Sequence, residues 1–587
     1  MSWELEADAA ERWSQSVTEP WMPRARQASL DDNLARRRHR VPARVLRRLA
    51  VLALVFVAAV GVIVWQLASL ASVTITAGSM ATARVVSPSI ARPDVLDREG
   101  RLLATDLVYP SMFADPTKIS DIDETALALA EHLPHRTPSE WREKLERDGS
   151  RFVWLQRALA PKLAQRLHDL GLPGINFREE LRRVYPAGAA VSHVLGHVDI
   201  DNRGRSGIER HIQNEVGTEN IEPPGRTTKA PVAISLDLAV QHAVRAELAQ
   251  AMETYRARGA AGLVLSMGSG EVLAAVSLPV RDPFDADQKA DPERMDRLQL
   301  GRYELGSVLK IFSVAATLES GLVTPRTRFD VSAPIQVGRT ARIADAYPSP
   351  LPLTARQVLL RSSNIGTARM ARLLGPEAVR NYYDRVGLFD ALRTEVHDGL
   401  RTIEPQRWDD VHAMTAAFGH GISMTPLRFA ASAATLLNRG RPVHPTFLKW
   451  HPSRRKPQVR PVVSPAVSEQ LRSMLRENVL LEEGTANKAH VAGYDIGGKT
   501  GTAEMVVDGA YAKDRVLSSF VAILPSAEPR FLLLTMLFEP QGKPVSGAFE
   551  KPKRSAGHTA APTTARIIER IAPILGVYKT VKVSPAG

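Results

Sequence analysis

The stretch GRYELGSVLKIF, residues 301–312, places a lysine three residues after a serine, where a loop gives way to helical spacing. Val308, Leu309, Ile311, Phe312, Ala315, Ala316 and Leu318 mark one broad apolar face, and Gly321 is placed to stop the run. The pattern predicts a helix opened by Ser307, with Lys310 beside the hydroxyl because residues three apart are helix neighbours. That pairing suits a nucleophile and its base. The tetrad alone is weak, because serine is a favoured helix cap and S-x-x-K should recur about once by chance in a chain of this size. A second copy, Ser453 to Lys456 in HPSRRKPQVRP, reads as a solvated loop.

A serine nucleophile of this kind needs two further elements, and both are present. LTARQVLLRSSNIGTARMARLLG predicts a helix from about Ala355, an interruption at Ser362-Ser363-Asn364 and a second helix stopped by Gly375. Its S-x-N unit supplies a hydroxyl and an amide on a break between helices. DIGGKTGTAEM carries Lys499, Thr500, Gly501 and Thr502 behind Gly497 and Gly498. Glycines inside a strand are tolerated where another backbone or a ligand must come close. A cation, two hydroxyls and bare N–H groups along an edge strand make a carboxylate-binding surface. Alternation puts Lys499 on one face and Thr500 with Thr502 on the other, so the site must straddle the strand edge.

The elements that must carry these motifs are legible in turn. SLDLAVQHAVRAELAQAMETYRARG predicts an amphipathic helix from near Asp237 to Gly259. AAGLVLSMGSGEVLAAVSLP predicts a hairpin joined by Gly268-Ser269-Gly270. RVLSSFVAILP and PRFLLLTMLFEP give another strand pair, and TTARIIERIAPILG a closing helix. Strands and helices at both ends of the segment, bracketing a helical middle, imply one α+β domain whose mainly antiparallel sheet is built from both ends. Upstream, residues 85–225 mix short strands with helices such as TPSEWREKLERDG, where Thr137, Ser139 and Glu140 mark a helix start. That block concentrates no nucleophiles, bases or glycine loops and reads as a structural spacer.

A length of 587 residues calls for two or more folded units. The net charge of +13 is largely local: Arg36, Arg37, Arg38, Arg40, Arg44, Arg47 and Arg48 cluster before an apolar run. No DNA- or RNA-binding motif accompanies them, which leaves nucleic acid a weak alternative. The run LAVLALVFVAAVGVIVW is followed by no charge until Arg84, and residues 49–70 are long enough to cross a bilayer. The arginines fix the N-terminus in the cytoplasm and export the remainder. A cleaved signal peptide is the competing reading, disfavoured by a leader of 48 residues. With no cysteine the chain has no thiolate nucleophile or thiolate metal site, and no His-rich metal motif is present, so neither metal nor cofactor is expected. The expected boundaries are a cytoplasmic, disordered tail at 1–48, a transmembrane helix at 49–70, a non-catalytic pedestal at 71–228, a catalytic domain at 229–577 and a tail at 578–587.

The ordered set S-x-x-K, S-x-N, K-T-G, spaced 55 residues (307 to 362) and 137 residues (362 to 499), matches the signature of penicillin-binding proteins and class A β-lactamases. The chain most closely resembles a class B penicillin-binding protein, a peptidoglycan D,D-transpeptidase of the division-specific, FtsI-type branch. ARPDVLDREGRLLA, with Arg92, Asp97, Arg98 and Gly100, and RRVYPAGAAVSHVLGHV with GRSGIER, containing Tyr185, Pro186, Gly188, His193, Gly196 and Glu209, are similar to its pedestal motifs. GHGISMTP and EEGTANKAHVAGYDIGGKTGTAE are similar to its transpeptidase segments. Two departures stand out: Leu305 occupies the place of a usual proline, and Phe538 that of a usual acidic residue.

The resemblance implies a penicillin-binding fold with an antiparallel sheet, flanking helices and an all-helical subdomain, above a dimerisation-type pedestal. It implies that Ser307 is the nucleophile, Lys310 its base and Ser362 a proton relay, with Asn364, Lys499, Thr500, Gly501 and Thr502 holding the substrate. Implied partners are peptidoglycan stem peptides, a polytopic glycosyltransferase of the shape, elongation and division (SEDS) class and other division proteins. An elongation-specific transpeptidase is the nearest alternative; a β-lactam sensor or β-lactamase fits the anchor and pedestal less well.

Overall fold

The computed structural model describes residues 91–580 except 148, 216–229, 281–290, 339–340, 451–459, 508–509 and 544–552, together with 47, 50–51, 53–63 and 65. The tail expected at 1–48 (Arg47 apart), positions 49, 52, 64 and 66–70 of the apolar segment, residues 216–229 at the expected pedestal boundary, Ser453 with Lys456, and 581–587 lie outside the described residues. The described residues of 50–65 are helical, and their apolar side chains are exposed, Phe56 at 70% and Trp65 at 71%. Among the described residues no helix is long and apolar enough to cross a membrane. Met1–Pro88 and Ser89–Gly587 form separate units.

A five-stranded sheet organises the second unit's C-terminal part. Its order is Gly497–Val507, Ala510–Leu524, Phe531–Phe538, Gly259–Ser266, Val272–Leu278, with every neighbour antiparallel. The early hairpin therefore pairs with the late strands, as the both-ends reading requires. Phe531–Phe538 is buried at every position because helices cover both faces. Phe531, Leu533 and Leu537 pack with Leu238–Tyr255 and Ala560–Ile571, while Leu532, Leu534 and Met536 face a second core containing the serine helix. The long helix starts where Asp237 caps Ala239 and Val240, and it ends where Arg256 turns left-handed.

The pedestal centres on Leu102–Ala114, which pairs with Val95–Leu96, Val153–Gln156 and Ile175–Val184. Val95–Leu96 also runs parallel to Val232–Ala233, at the entry to the catalytic sheet. The helix expected in TPSEWREKLERDG is Pro138–Leu145, with Thr137 and Glu140 forming a capping box. Arg92 and Arg183, both nearly fully buried, converge on Glu209: Arg92 Nε donates at 3.0 Å and Arg183 Nε at 2.7 Å. Arg183 also donates to Asp106 Oδ1 at 3.2 Å. Charges removed from water this fully persist because each is paired.

Candidate active site

The serine sits on a 3₁₀ turn, Gly306–Leu309, that feeds the α-helix Lys310–Glu319; the α-helix itself begins three residues later than the sequence suggests. Gly306 enters the turn at φ +62, open to glycine at little cost, and the Lys310 N–H closes it on Ser307 O. Val308, Leu309, Ile311 and Phe312 are fully buried, and they fix the turn in the core. Leu305 is also buried, and its carbonyl accepts from Ser519 Oγ at 3.3 Å. Two backbone bonds between Tyr303 and Met424 hold the approaching strand, so the loop is fastened without the proline.

The S-x-N element lies between Ala355–Leu360 and Asn364–Leu374. Ser362 holds φ +60, a left-handed conformation that costs a non-glycine residue of order 1–3 kcal/mol and marks a position worth the strain. Ser363 caps the second helix at Gly366 N, and Gly375 ends it at φ +89. The K-T-G element is on the edge strand Gly497–Val507. A Cβ on Gly501 would lie 2.5 Å from Leu305 O, so bare backbone lets this strand reach the serine turn. Thr500 and Thr502 line the cleft on the other side of the edge.

Two buried lysines converge on Ser362. Lys310 Nζ contacts Ser362 O, Ser362 Oγ at 3.2 Å and Asn364 Oδ1 at 2.7 Å; Lys499 Nζ reaches Ser362 Oγ at 3.0 Å and Thr500 O at 3.0 Å. Burial and then the neighbouring Lys499 push the Lys310 amine well below the usual lysine range, against the opposing pull of Asp345. Burial alone brings Lys499 down to about 7. Burial disfavours a charge on both amines, and the field of Lys499 adds to the penalty on Lys310. Among the described residues the Lys310 amine makes no hydrogen bond to Ser307, whose hydroxyl borders an open cleft of about 830 Å³.

Several residues that complete this geometry carry no motif signal. Asp345 accepts from Ser363 Oγ at 2.6 Å and Ile365 N at 2.9 Å, anchoring the helix break. Asn364 Nδ2 donates to Ala344 O at 3.0 Å, so its amide is held from both sides. Asn478, fully buried, donates to Gly498 O at 2.8 Å and accepts from Thr485 N at 2.9 Å. Thr500 Oγ1 then donates to Thr485 Oγ1 at 2.8 Å. Of Ala344, Asp345, Asn478 and Thr485, only Thr485 falls inside a stretch singled out in the sequence, EEGTANKAH.

The penicillin binding protein transpeptidase domain model matches residues 260–569, and the penicillin-binding protein dimerisation domain model matches 89–222. The chain belongs to the penicillin-binding protein transpeptidase family. Among its relatives, the probable peptidoglycan D,D-transpeptidase FtsI of Caulobacter vibrioides is 35% identical over 83% of this chain and 82% of its own. The peptidoglycan D,D-transpeptidase FtsI of Escherichia coli K12 is 30% identical over 85% of this chain and 88% of its own. The crystal structure of penicillin-binding protein 3 from Mycobacterium tuberculosis, complexed with aztreonam, shares the fold at a TM-score of 0.62 and 24% identity, covering 84% of this chain and 98% of that one. As a penicillin-binding protein, the chain keeps S-x-x-K, S-x-N and K-T-G around one cleft, although 137 residues of sequence separate the last two (362 to 499).

Proposed function

We propose that this class B D,D-transpeptidase cross-links septal peptidoglycan through an acyl-enzyme on Ser307. The observation that carries the reading is the convergence of Lys310 and Lys499 on the Ser362 hydroxyl, beside the serine turn. Neutral Lys310 takes the Ser307 proton; Ser307 Oγ bonds to the penultimate D-Ala carbonyl carbon, and the bond to the terminal D-Ala nitrogen breaks. Ser362, which accepts from both lysines, passes a proton to the departing amine. The charge on Lys499, with Thr500 and Thr502, holds the terminal carboxylate, and Gly501 lets their strand approach. Asn364 orients the donor stem, and the Ser307 and Thr502 N–H groups stabilise the oxyanion. An amino group of a second stem then resolves the ester into a cross-link.

The basic cluster before residue 49 and the apolar segment 49–70 support a single-pass anchor in the bacterial inner membrane, with the N-terminus cytoplasmic and the catalytic domain periplasmic. The likeness to division-branch transpeptidases favours a SEDS-type glycosyltransferase and other division proteins as partners. The test is covalent labelling in dividing cells: a fluorescent penicillin should place one adduct on Ser307, lost on Ser307→Ala, with the full-length fusion collecting at midcell. Labelling that survives the substitution removes the nucleophile. A fusion spread along the lateral wall instead favours the elongation branch, and exchange of 49–70 for an unrelated apolar helix should abolish midcell recruitment.

A further inference from the structure

A second polar cluster borders the serine turn, and the steps above do not use it. Glu304, three residues before Ser307, accepts from Tyr511 O–H at 2.9 Å and from Gly421 N at 3.0 Å, both on Oε1. Its other oxygen, Oε2, faces His420 Nδ1 at 3.5 Å. The imidazole stacks on the Tyr511 ring, centroids 4.4 Å apart and planes 20° from parallel. Burial and the bond to Glu304 raise the Tyr511 phenol above its ordinary range, so it remains a donor. The Glu304 side chain is 10% exposed, whereas His420 is 44% exposed and lines the cleft together with Ser307 and Glu504.

The cluster is tied to the nucleophile by backbone. A Cβ on Gly419 would lie 2.2 Å from Gly306 O, so the residue before His420 rests directly on the residue before Ser307. Donors already fill Glu304 Oε1, and Oε2 lies nearest Nδ1, which leaves Nε2 as the ring nitrogen not directed at Glu304. Among the described residues Glu304 and Tyr511 lie against this ring, and Glu504 lines the same cleft. Among the described residues no lysine or arginine pairs with Glu304. The part of the cleft beside His420 therefore carries two carboxylates, Glu304 and Glu504, suited to an arriving cation.

We propose that His420 is the general base for the acceptor half-reaction, taking a proton from the incoming ammonium group while Glu304 positions it. The inference rests on the acyl-enzyme reading and deepens it. The ammonium gives one proton to His420 Nε2, and the freed amine nitrogen bonds to the ester carbonyl carbon. The carbon–oxygen bond to Ser307 breaks, the second amine proton passes through Lys310 to the Ser307 oxygen, and His420 releases its proton to solvent. Glu504 draws the cationic acceptor to this side of the cleft, and Glu304 works only through the imidazole.

The test compares two nucleophiles on the full-length protein acylated by a thioester donor. Nα-acetyl-D-lysinamide presents an ammonium at neutral pH, whereas hydroxylamine is already a free base. His420→Gln should lower aminolysis by the lysinamide about 10²-fold or more and leave that by hydroxylamine within about threefold. Glu304→Gln should give the same selective loss, and Glu304→Asp should recover part of it. Equal losses with both nucleophiles, or no loss with either, overturn the proposal. A fall in penicillin acylation as large as the lysinamide loss also overturns it, by moving His420 to the donor half-reaction. If wild type forms no adduct at Ser307, the acyl-enzyme reading fails and this proposal goes with it.

Discussion

Lys310 and Lys499 share a side-chain type and a contact on Ser362 Oγ, yet their surroundings bear on their charge differently. Lys310 bears burial and the field of Lys499, while burial alone brings Lys499 down to about 7. The proposed base must be neutral and the proposed carboxylate anchor charged. Lys310→Arg keeps a cation that cannot deprotonate at accessible pH, so acylation by penicillin should fall by the ~10²–10⁴ expected for a lost general base. Lys499→Arg keeps the charge and should fall less. On the proposed roles the pH sign follows: acylation should rise as Lys310 loses its proton and decline above neutrality as Lys499 loses the charge proposed to hold the substrate carboxylate. Stopped-flow acylation across pH should show the declining limb in wild type and lose it in Lys499→Arg. Equal losses for the two arginine variants, or a declining limb retained in Lys499→Arg, would contradict the assignment.

The edge strand Gly497–Val507 and the 3₁₀ turn Gly306–Leu309 make the site by touching, and glycine permits the contact. The sequence signalled this well: Gly497, Gly498 and Gly501 interrupt a strand, the type of break that close backbone approach demands. The hairpins, the closing helix and the Ser362 interruption were equally legible, because each is written in local periodicity and capping. Asp345, Asn478 and the Glu304–His420–Tyr511 cluster were not. Each acts through a partner 18 to 207 residues away in the chain, and one-dimensional spacing carries no trace of such a pairing. Gly501→Ala tests the contact, since its Cβ would meet Leu305 O and Ser519 Oγ at 2.5 Å and Val308 Cγ1 at 3.0 Å. Relief requires the strand to shift, at about 1–3 kcal/mol, and the shift widens the site itself. Acylation should therefore drop by more than the fall in melting temperature explains; a stable variant that acylates normally would show that the contact is dispensable.

Across the whole of Ser89–Gly587, packing does not follow the division into pedestal and catalytic domain. Val95, Leu103, Ala104, Tyr185 and Ile208 of the pedestal belong to the same continuous core as Val308, Phe312 and Leu532 around the serine. Asp97 accepts from the N–H of Leu238, and Gln241 donates to Ala190 O at 2.8 Å, so hydrogen bonds cross the boundary too. The far part of the pedestal is separate: Met112, Leu129, Trp141, Leu155 and Leu167 form a core of their own. Sequence suggested one spacer between 85 and 225, whereas the cores divide it into a base fused to the catalytic unit and an independently packed head. Trp141, fully buried, fills that head, and Trp141→Ala should cost about 3–5 kcal/mol there. Limited proteolysis should then cut the head early while penicillin labelling of Ser307 persists. Ile208→Ala, made in the shared core at a cost of about 2–5 kcal/mol, should lower the temperature at which labelling is lost. If Trp141→Ala abolishes labelling at the temperature at which its head is cleaved, the two cores unfold as one and this division of the pedestal is wrong.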